Sequence, residues 1–288
     1  MAEGVDLKGK VALVTGCNTG IGKETARVLA AQGATVFLAC RSLDKAQATM
    51  EEIKQHNAAA DLHALECDLS SLDSVAKAAE EFLKQSSKLH LLINNAGVMM
   101  IPEFTLTKDG YEMQWGTNHL GHFLLTHKLL PALQQAAPSR VVNVSSMAHQ
   151  MAPSYTADIV PPQQQTYNGT SNYGLSKLSN ILFSREFNRR HGSSGVTSFA
   201  LHPGVIPTDL GRYSTMANVF YKIGTPFMKN IPQGAATQVY CALRADPKDC
   251  LAWFSDCATS TKFTRDSQSD AHAQHLWGVS EQAAQKWM

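Results

Sequence analysis

Short apolar runs alternate with longer stretches whose apolar residues recur at helical spacing, from one end of the chain to the other. Residues 11–15 (VALVT) form the first run. Residues 21–32 follow, with Ile21, Ala26, Leu29 and Ala30 near a 3.6-residue repeat and Gly33 placed as a helix stop. The spacing then predicts a strand over 35–39, a charged helix over 43–56, a strand over 62–67, a helix over 72–85 and a strand over 89–93. In the second half it predicts a long helix over 110–135, bent near Pro131, and a strand over 140–144. A helix over 171–190 and a strand over 196–201 come next. Strands that are apolar throughout are buried on both faces, which is the condition of a parallel sheet covered by its crossover helices. The expected class is α/β: a single-domain, doubly wound Rossmann fold with a central parallel sheet of about seven strands and helices on both faces.

No internal repeat or linker divides the chain, so one domain is expected over 1–288. Within it, 9–205 reads as the cofactor and catalytic core, and 233–288 as a C-terminal helix and last strand region. Two stretches break the alternation. The Pro/Gln-rich segment 148–172 reads as a long irregular insertion, and 206–232 reads as a substrate lid carrying the apolar piece MANVFYKIG. Both follow strand carboxyl ends, the edge where ligands bind in open α/β sheets.

Charge narrows the function classes. With 25 basic and 24 acidic residues the net charge is +1, so no basic field points to nucleic acid. Residues 1–10 are polar with no apolar signal core, and no run approaches the roughly 18–20 residues of a membrane span. Six cysteines lie scattered without a CxxC pair and read as reduced thiols, which fits a cytoplasmic protein. His119 and His122 stand one helical turn apart, but without a strong third ligand nearby they do not make a metal site.

The chemistry starts at Thr15-Gly16-Cys17-Asn18-Thr19-Gly20-Ile21-Gly22, between the first strand and the first helix. Glycines let the backbone turn tightly and approach a pyrophosphate, and the helix N-terminus offers it unpaired N–H groups. A glycine turn alone is a weak signal; its strand-to-helix context makes it a dinucleotide site. At the end of the second strand Leu38-Ala39-Cys40-Arg41 has no carboxylate to bind a ribose 2′-hydroxyl. Arg41 would pair with a 2′-phosphate, with Lys45 one turn further on. NADP(H) is therefore favoured over NAD(H). Tyr173 and Lys177 stand four apart on one face of the helix that follows Ser145-Ser146. A YxxxK pair by itself is commonly a solvated surface pair.

Together these residues resemble the short-chain dehydrogenase/reductase family, whose T-G-x-x-x-G-x-G turn and Ser, Tyr, Lys set they match over about residues 9–245. The resemblance implies that Gly16, Asn18, Thr19, Gly20, Ile21 and Gly22 cradle the dinucleotide. It implies that Asp68, beside Leu69, meets the adenine, and that Asn95, Ala96 and Gly97 run along the cofactor. It also implies that Pro203, Gly204, Val205 and Thr208 meet the carboxamide. Ser146 would steady the substrate oxygen, Asn118 would relay protons through water, and Lys177 would also bond the nicotinamide ribose. Asn94 would hold the sheet together.

A free phenol has a pKa of about 10. An ammonium about 4 Å away is worth roughly 4 kcal/mol at an effective dielectric of about 20, enough to bring a phenol toward neutral pH. Tyr173 is then the general acid for reduction or the general base for oxidation. The gap from Ser146 to Tyr173 is 27 residues, longer than is common in the family, and implies a remodelled substrate rim.

Further strings, including CNTGIGKETA, LACR, LTKDGYE, NHLGHF and SKLSNILF, resemble the retinol dehydrogenase-like and WW-domain oxidoreductase-like branch. The expected activity is NADP(H)-dependent hydride transfer with a small hydrophobic aldehyde, ketone or alcohol, retinal-like or steroid-like. Alternatives are a light-dependent protochlorophyllide reductase-like enzyme, a biosynthetic alcohol dehydrogenase and, from another class, a dinucleotide-sensing interaction protein. The family also commonly pairs as a homodimer through the helices around 110–135 and 173–190.

Overall fold

The structure is a computed structural model that describes residues 2–207 and 228–288. Thr208 and most of the expected lid lie outside the described residues. Eight strands form one sheet in the order β3-β2-β1-β4-β5-β6-β7-β8. These are β1 (Val11–Thr15), β2 (Thr35–Cys40), β3 (Leu62–Glu66), β4 (Leu91–Asn94), β5 (Ser139–Val144), β6 (Val196–His202), β7 (Trp253–Ser255) and β8 (Ala258–Ser260). All neighbours are parallel except β7 and β8. β1 to β7 make the seven parallel strands expected, and the antiparallel β8 is one more. β7 and β8 have only three residues each, too few for a periodic signal. They are joined through Asp256 and Cys257, both at positive φ (53° and 61°), the backbone a two-residue hairpin turn requires.

Successive residues of β1 feed opposite cores. Leu13 packs into a cluster with Phe37, Phe82, Trp115 and Leu124, while Ala12 and Val14 enter another with Leu29, Val36 and Leu201. This period of two explains why the strands are apolar at every position. One face carries α3 (Leu72–Gln85), α5 (Gly121–Gln135) and α6 (Gly169–His191). The other carries α1 (Gly20–Ala31), α2 (Leu43–His56) and α7 (Ile231–Leu243).

The long helix expected over 110–135 is interrupted. A short α4 (Met113–Trp115), capped by the buried Glu112 carboxylate, runs into a π turn over Gly116–Leu120 before α5 begins. α5 then continues through Pro131. π turns recur at functional sites, and this one carries Asn118.

The last helix, α8 (Asp270–Ala284), lies across α6. Its Trp277 stacks on Phe183 at 5.7 Å and meets the Phe123 edge at 5.0 Å. Beside it, the Tyr111 hydroxyl donates to the Ala283 carbonyl and the Lys128 ammonium to that of Trp287. α5 and α6, the helices through which members of the family commonly pair, thus pack part of their surface against the chain's own last helix. Among the described residues no helix is long and apolar enough to cross a membrane.

Candidate active site

Strand order reverses between β1 and β4, and the crevice at their carboxyl ends is where an open α/β sheet takes a ligand. The glycine turn sits at this point. Gly16 and Gly20 hold positive φ (63° and 58°), which side chains disfavour. At Gly22 a Cβ would collide with the Asn95 amide and lie 2.5 Å from the Gly16 carbonyl oxygen. No side chain caps the first N–H groups of α1. By contrast α2, α3, α6, α7 and α8 are capped by Ser42, Ser71, Asn168, Asn230 and Ser269. With no acidic residue in its first turn either, α1 is the helix suited to an anion such as a dinucleotide's phosphates.

Asn18, Thr19, Gly20 and Ile21 form this rim, and none of them is fully buried. Arg41 follows β2 and is exposed, and among the described residues no carboxylate pairs with it. Asp68 follows β3, and one of its oxygens accepts from the Ser70 N–H and hydroxyl. Lys108 approaches the other at 3.1 Å. Burial works against its charge, but the Ser70 and Lys108 hydrogen bonds prevail and hold its pKa below the usual range. Ser71, not Asp68, caps α3, so the carboxylate is free of that duty. Leu69 beside it is buried and packs against Gly121.

After β4, Asn94 donates to Thr126 Oγ1 and Asn143 Oδ1, binding the sheet to α5 as expected. Asn95 turns the other way: its amide donates to the Thr15 carbonyl at 2.8 Å, and Gln238 of α7 donates to its oxygen. The Thr15 hydroxyl oxygen accepts the N–H groups of both Asn95 and Ala96, at 2.9 and 3.0 Å. These bonds join the 95–97 turn to the glycine turn as one floor.

The groups expected to react lie just after β5 and on α6. Tyr173 and Lys177 are buried, at 4% and 3% exposure, so they are not a solvated surface pair. The Lys177 ammonium donates to the Val144 carbonyl at 3.0 Å and lies 5.7 Å from the centre of the Tyr173 ring. It also lies 3.5 Å from where a Cβ on Gly97 would stand, which places it between the tyrosine and the 95–97 turn. Burial pulls its pKa down to about 8.

The two serines after β5 divide the work. Ser145 is buried and donates to the Lys177 carbonyl at 2.7 Å, fastening α6 to the strand. Ser146 is half-buried, and its hydroxyl oxygen accepts the Ala148 N–H at 3.1 Å while its proton stays available. Asn118 is fully buried; its side chain bonds both backbone groups of Val98 and donates to Ser176 Oγ. Ser176 in turn donates to the Tyr173 carbonyl.

Two regions complete the surroundings. Met99, Ala148 and Tyr173 form a small apolar cluster with Met100 against it. After β6, His202 stacks on Trp253, and Pro203, Gly204 and Val205 follow, Gly204 at φ 100° with Lys229 against it. Sequence reasoning missed Ser176, Gln238 and the load carried by Thr15. The only signal for these would have been hydroxyl and amide groups at positions otherwise buried.

Comparison with known proteins identifies the family. Residues 10–158 match the family described as short chain dehydrogenase. The chain belongs to the short-chain dehydrogenase/reductase family. Retinol dehydrogenase 12 of Homo sapiens is 43% identical over 96% of this chain and 86% of that protein. Retinol dehydrogenase 13 of Homo sapiens is 38% identical over 95% and 84%. The crystal structure of an uncharacterized protein from Mycobacterium Paratuberculosis, 33% identical, superposes with a TM-score of 0.75 over 97% of this chain and 95% of that one. This short-chain dehydrogenase/reductase is thus an NAD(P)-dependent oxidoreductase acting on alcohols or carbonyls.

Proposed function

We propose that the enzyme reduces apolar aldehydes or ketones with NADPH, and oxidises the matching alcohols with NADP+, through Tyr173. The observation that carries the reading is the buried Lys177 ammonium set between the Tyr173 ring and the turn beside the glycine floor. When bound, the nicotinamide supplies or takes up the hydride. Tyr173 delivers the proton to the carbonyl oxygen in reduction and removes it in oxidation. Lys177 keeps a positive charge beside the phenol, where burial makes that charge felt more strongly than in water. The Ser146 hydroxyl donates a hydrogen bond to the substrate oxygen. Asn118, held on Val98, offers its main-chain carbonyl to the proton path.

The glycine floor, with Asn95, Ala96, Gly97, Pro203, Gly204 and Val205, would hold the dinucleotide, and Asp68 its adenine. Arg41 without a carboxylate supports the 2′-phosphate, since a carboxylate there would repel it. The apolar wall of Met99, Met100 and Ala148 beside Tyr173 supports a hydrophobic substrate. The relatives' printed activity makes a retinoid aldehyde the first compound to try. Six cysteines without a disulfide support a reducing compartment such as the cytoplasm. A homodimer paired through the helices around 110–135 and 173–190 is the expected working unit, and light scattering would read its mass directly.

NADPH consumption over a series of aldehydes from short alkyl to retinal tests the reading. The expected result is turnover that rises with apolar length, with NADPH preferred over NADH by at least about tenfold. Arg41→Glu should erase that preference. Equal use of both cofactors, or no turnover of any carbonyl, would contradict it.

A further inference from the structure

His122 lies in the first turn of α5, directly after the π turn, and is 3% exposed. Its Nδ1 is 2.9 Å from the main-chain oxygen of Asn118, and its Nε2 is 2.8 Å from the Thr15 hydroxyl. A carbonyl oxygen only accepts, so the ring proton is on Nδ1 and Nε2 presents a lone pair. The Thr15 hydroxyl oxygen already accepts two N–H groups, from Asn95 and Ala96. Its own proton faces His122 Nε2 at 2.8 Å, with the Ile93 carbonyl a longer contact at 3.4 Å, and the nearer nitrogen takes it. The opposite tautomer would face the Nδ1 lone pair with a carbonyl lone pair and bring a third donor to one hydroxyl oxygen. With the ring proton on Nδ1 and the Thr15 proton toward Nε2, no lone pair faces another. Burial and the nearby Lys177 charge, with the Asn118 hydrogen bond opposing them, bring the His122 pKa down to about 4, so the ring stays neutral.

This chain of bonds spans the two halves of the site. At one end are the 95–96 backbone and the β1 carboxyl end, which form the cofactor floor. At the other is the Asn118 carbonyl, the part of that residue left for the proton path once its side chain is spent on Val98 and Ser176. We propose that His122 is a positioning residue that sets the proton-path carbonyl of Asn118 in register with the cofactor floor at Thr15, using one nitrogen for each. The assignment of Asn118 to the proton path rests on the function proposed above; the bonding arrangement itself does not.

The two ring nitrogens can be separated. His122→Asn keeps a donor near the Nδ1 position and loses the acceptor for Thr15. His122→Gln keeps an acceptor near Nε2 and loses the donor to Asn118. NADPH affinity, read by fluorescence titration of the enzyme without substrate, should weaken about tenfold in His122→Asn, with kcat within about threefold. In His122→Gln, kcat should fall about tenfold with NADPH affinity within about threefold. A residue that merely filled space would move both constants together or neither. Any pattern other than the predicted split overturns the proposal. Should either variant fail to fold, the wild-type protein with 15N-labelled histidine decides: one neutral ring protonated at Nδ1 supports the proposal, and protonation at Nε2 ends it. If the wild-type protein binds no NADPH, the proposed function fails while the nitrogen spectrum still tests the bonding arrangement.

Discussion

The glycine floor and the insertion after β5 are held in place by different means. The floor is made of backbone: glycines at positive φ, an uncapped helix end, and Thr15 and Asn95 bonded to main-chain groups of the adjoining turns. The insertion after β5 is held instead by side chains from pieces far apart in the chain. Tyr155 of the insertion stacks on His272 at 4.6 Å, and its hydroxyl lies 3.0 Å from His275 Nδ1. The Tyr155 N–H donates to the Asp266 carboxylate, and Gln150 to the Lys262 carbonyl. A floor of backbone constrains what can replace each residue, because a single methyl group closes it. An insertion held by packed side chains tolerates substitution in kind and depends on the C-terminal segment to stand.

Substitutions should therefore separate the two. The largest effect is expected at Trp277, which is buried between Phe183, Phe123 and Phe187. Trp277→Ala should cost about 3–5 kcal/mol of unfolding free energy in denaturant titration. NADPH affinity of the folded fraction should stay within about threefold, because no group of the glycine floor touches that ring. A loss of affinity without a loss of stability would break the division.

Lys177→Met should come next, lowering turnover by about a hundredfold or more. The same residue sets a pH signature. Its ammonium is lost as pH rises through about 8, so kcat/KM for reduction should be flat below that point and fall above it. A profile that instead rises above pH 8 would show that the charge is not what the phenol needs. Smallest of the three, Gly22→Ala should weaken NADPH binding by about tenfold to a hundredfold, since its methyl group meets Asn95 and the Gly16 carbonyl. Unchanged affinity would mean that the glycine floor is looser than the contacts imply.

The same contrast explains what could be read from the residues alone. The glycine turn was legible because its function is carried by backbone freedom, which leaves glycines at fixed spacing. Gly33 was legible as a helix stop for the same reason, and it holds φ 91°. The Tyr173–Lys177 pair was legible through helical spacing, but its burial was not, since that depends on β5 and the 95–97 turn closing over it. The insertion gave no signal for its partners: Tyr155 and His272 share no period and lie more than a hundred positions apart. The π turn at Gly116–Leu120 was hidden because residues 114–126 are buried on every side, so an extra residue shifts no apolar stripe. His122 stood out beside His119 only as a metal question, yet each ring is engaged in hydrogen bonds, His119 to Ser280 and His122 to Thr15 and Asn118. Its use depends on a carbonyl and a hydroxyl that only the fold brings to its two nitrogens.

In the proposed function the Tyr173 hydroxyl moves the proton while the rest of the cleft holds the cofactor. Tyr173→Phe removes that one oxygen and leaves the ring to pack against Met99 and Ala148. Turnover of an aldehyde with saturating NADPH, measured beside NADPH affinity by fluorescence, tests it. Turnover should fall at least about a thousandfold, with affinity within about threefold of the wild-type protein. Turnover equal to the wild type, with the cofactor still bound, would contradict it.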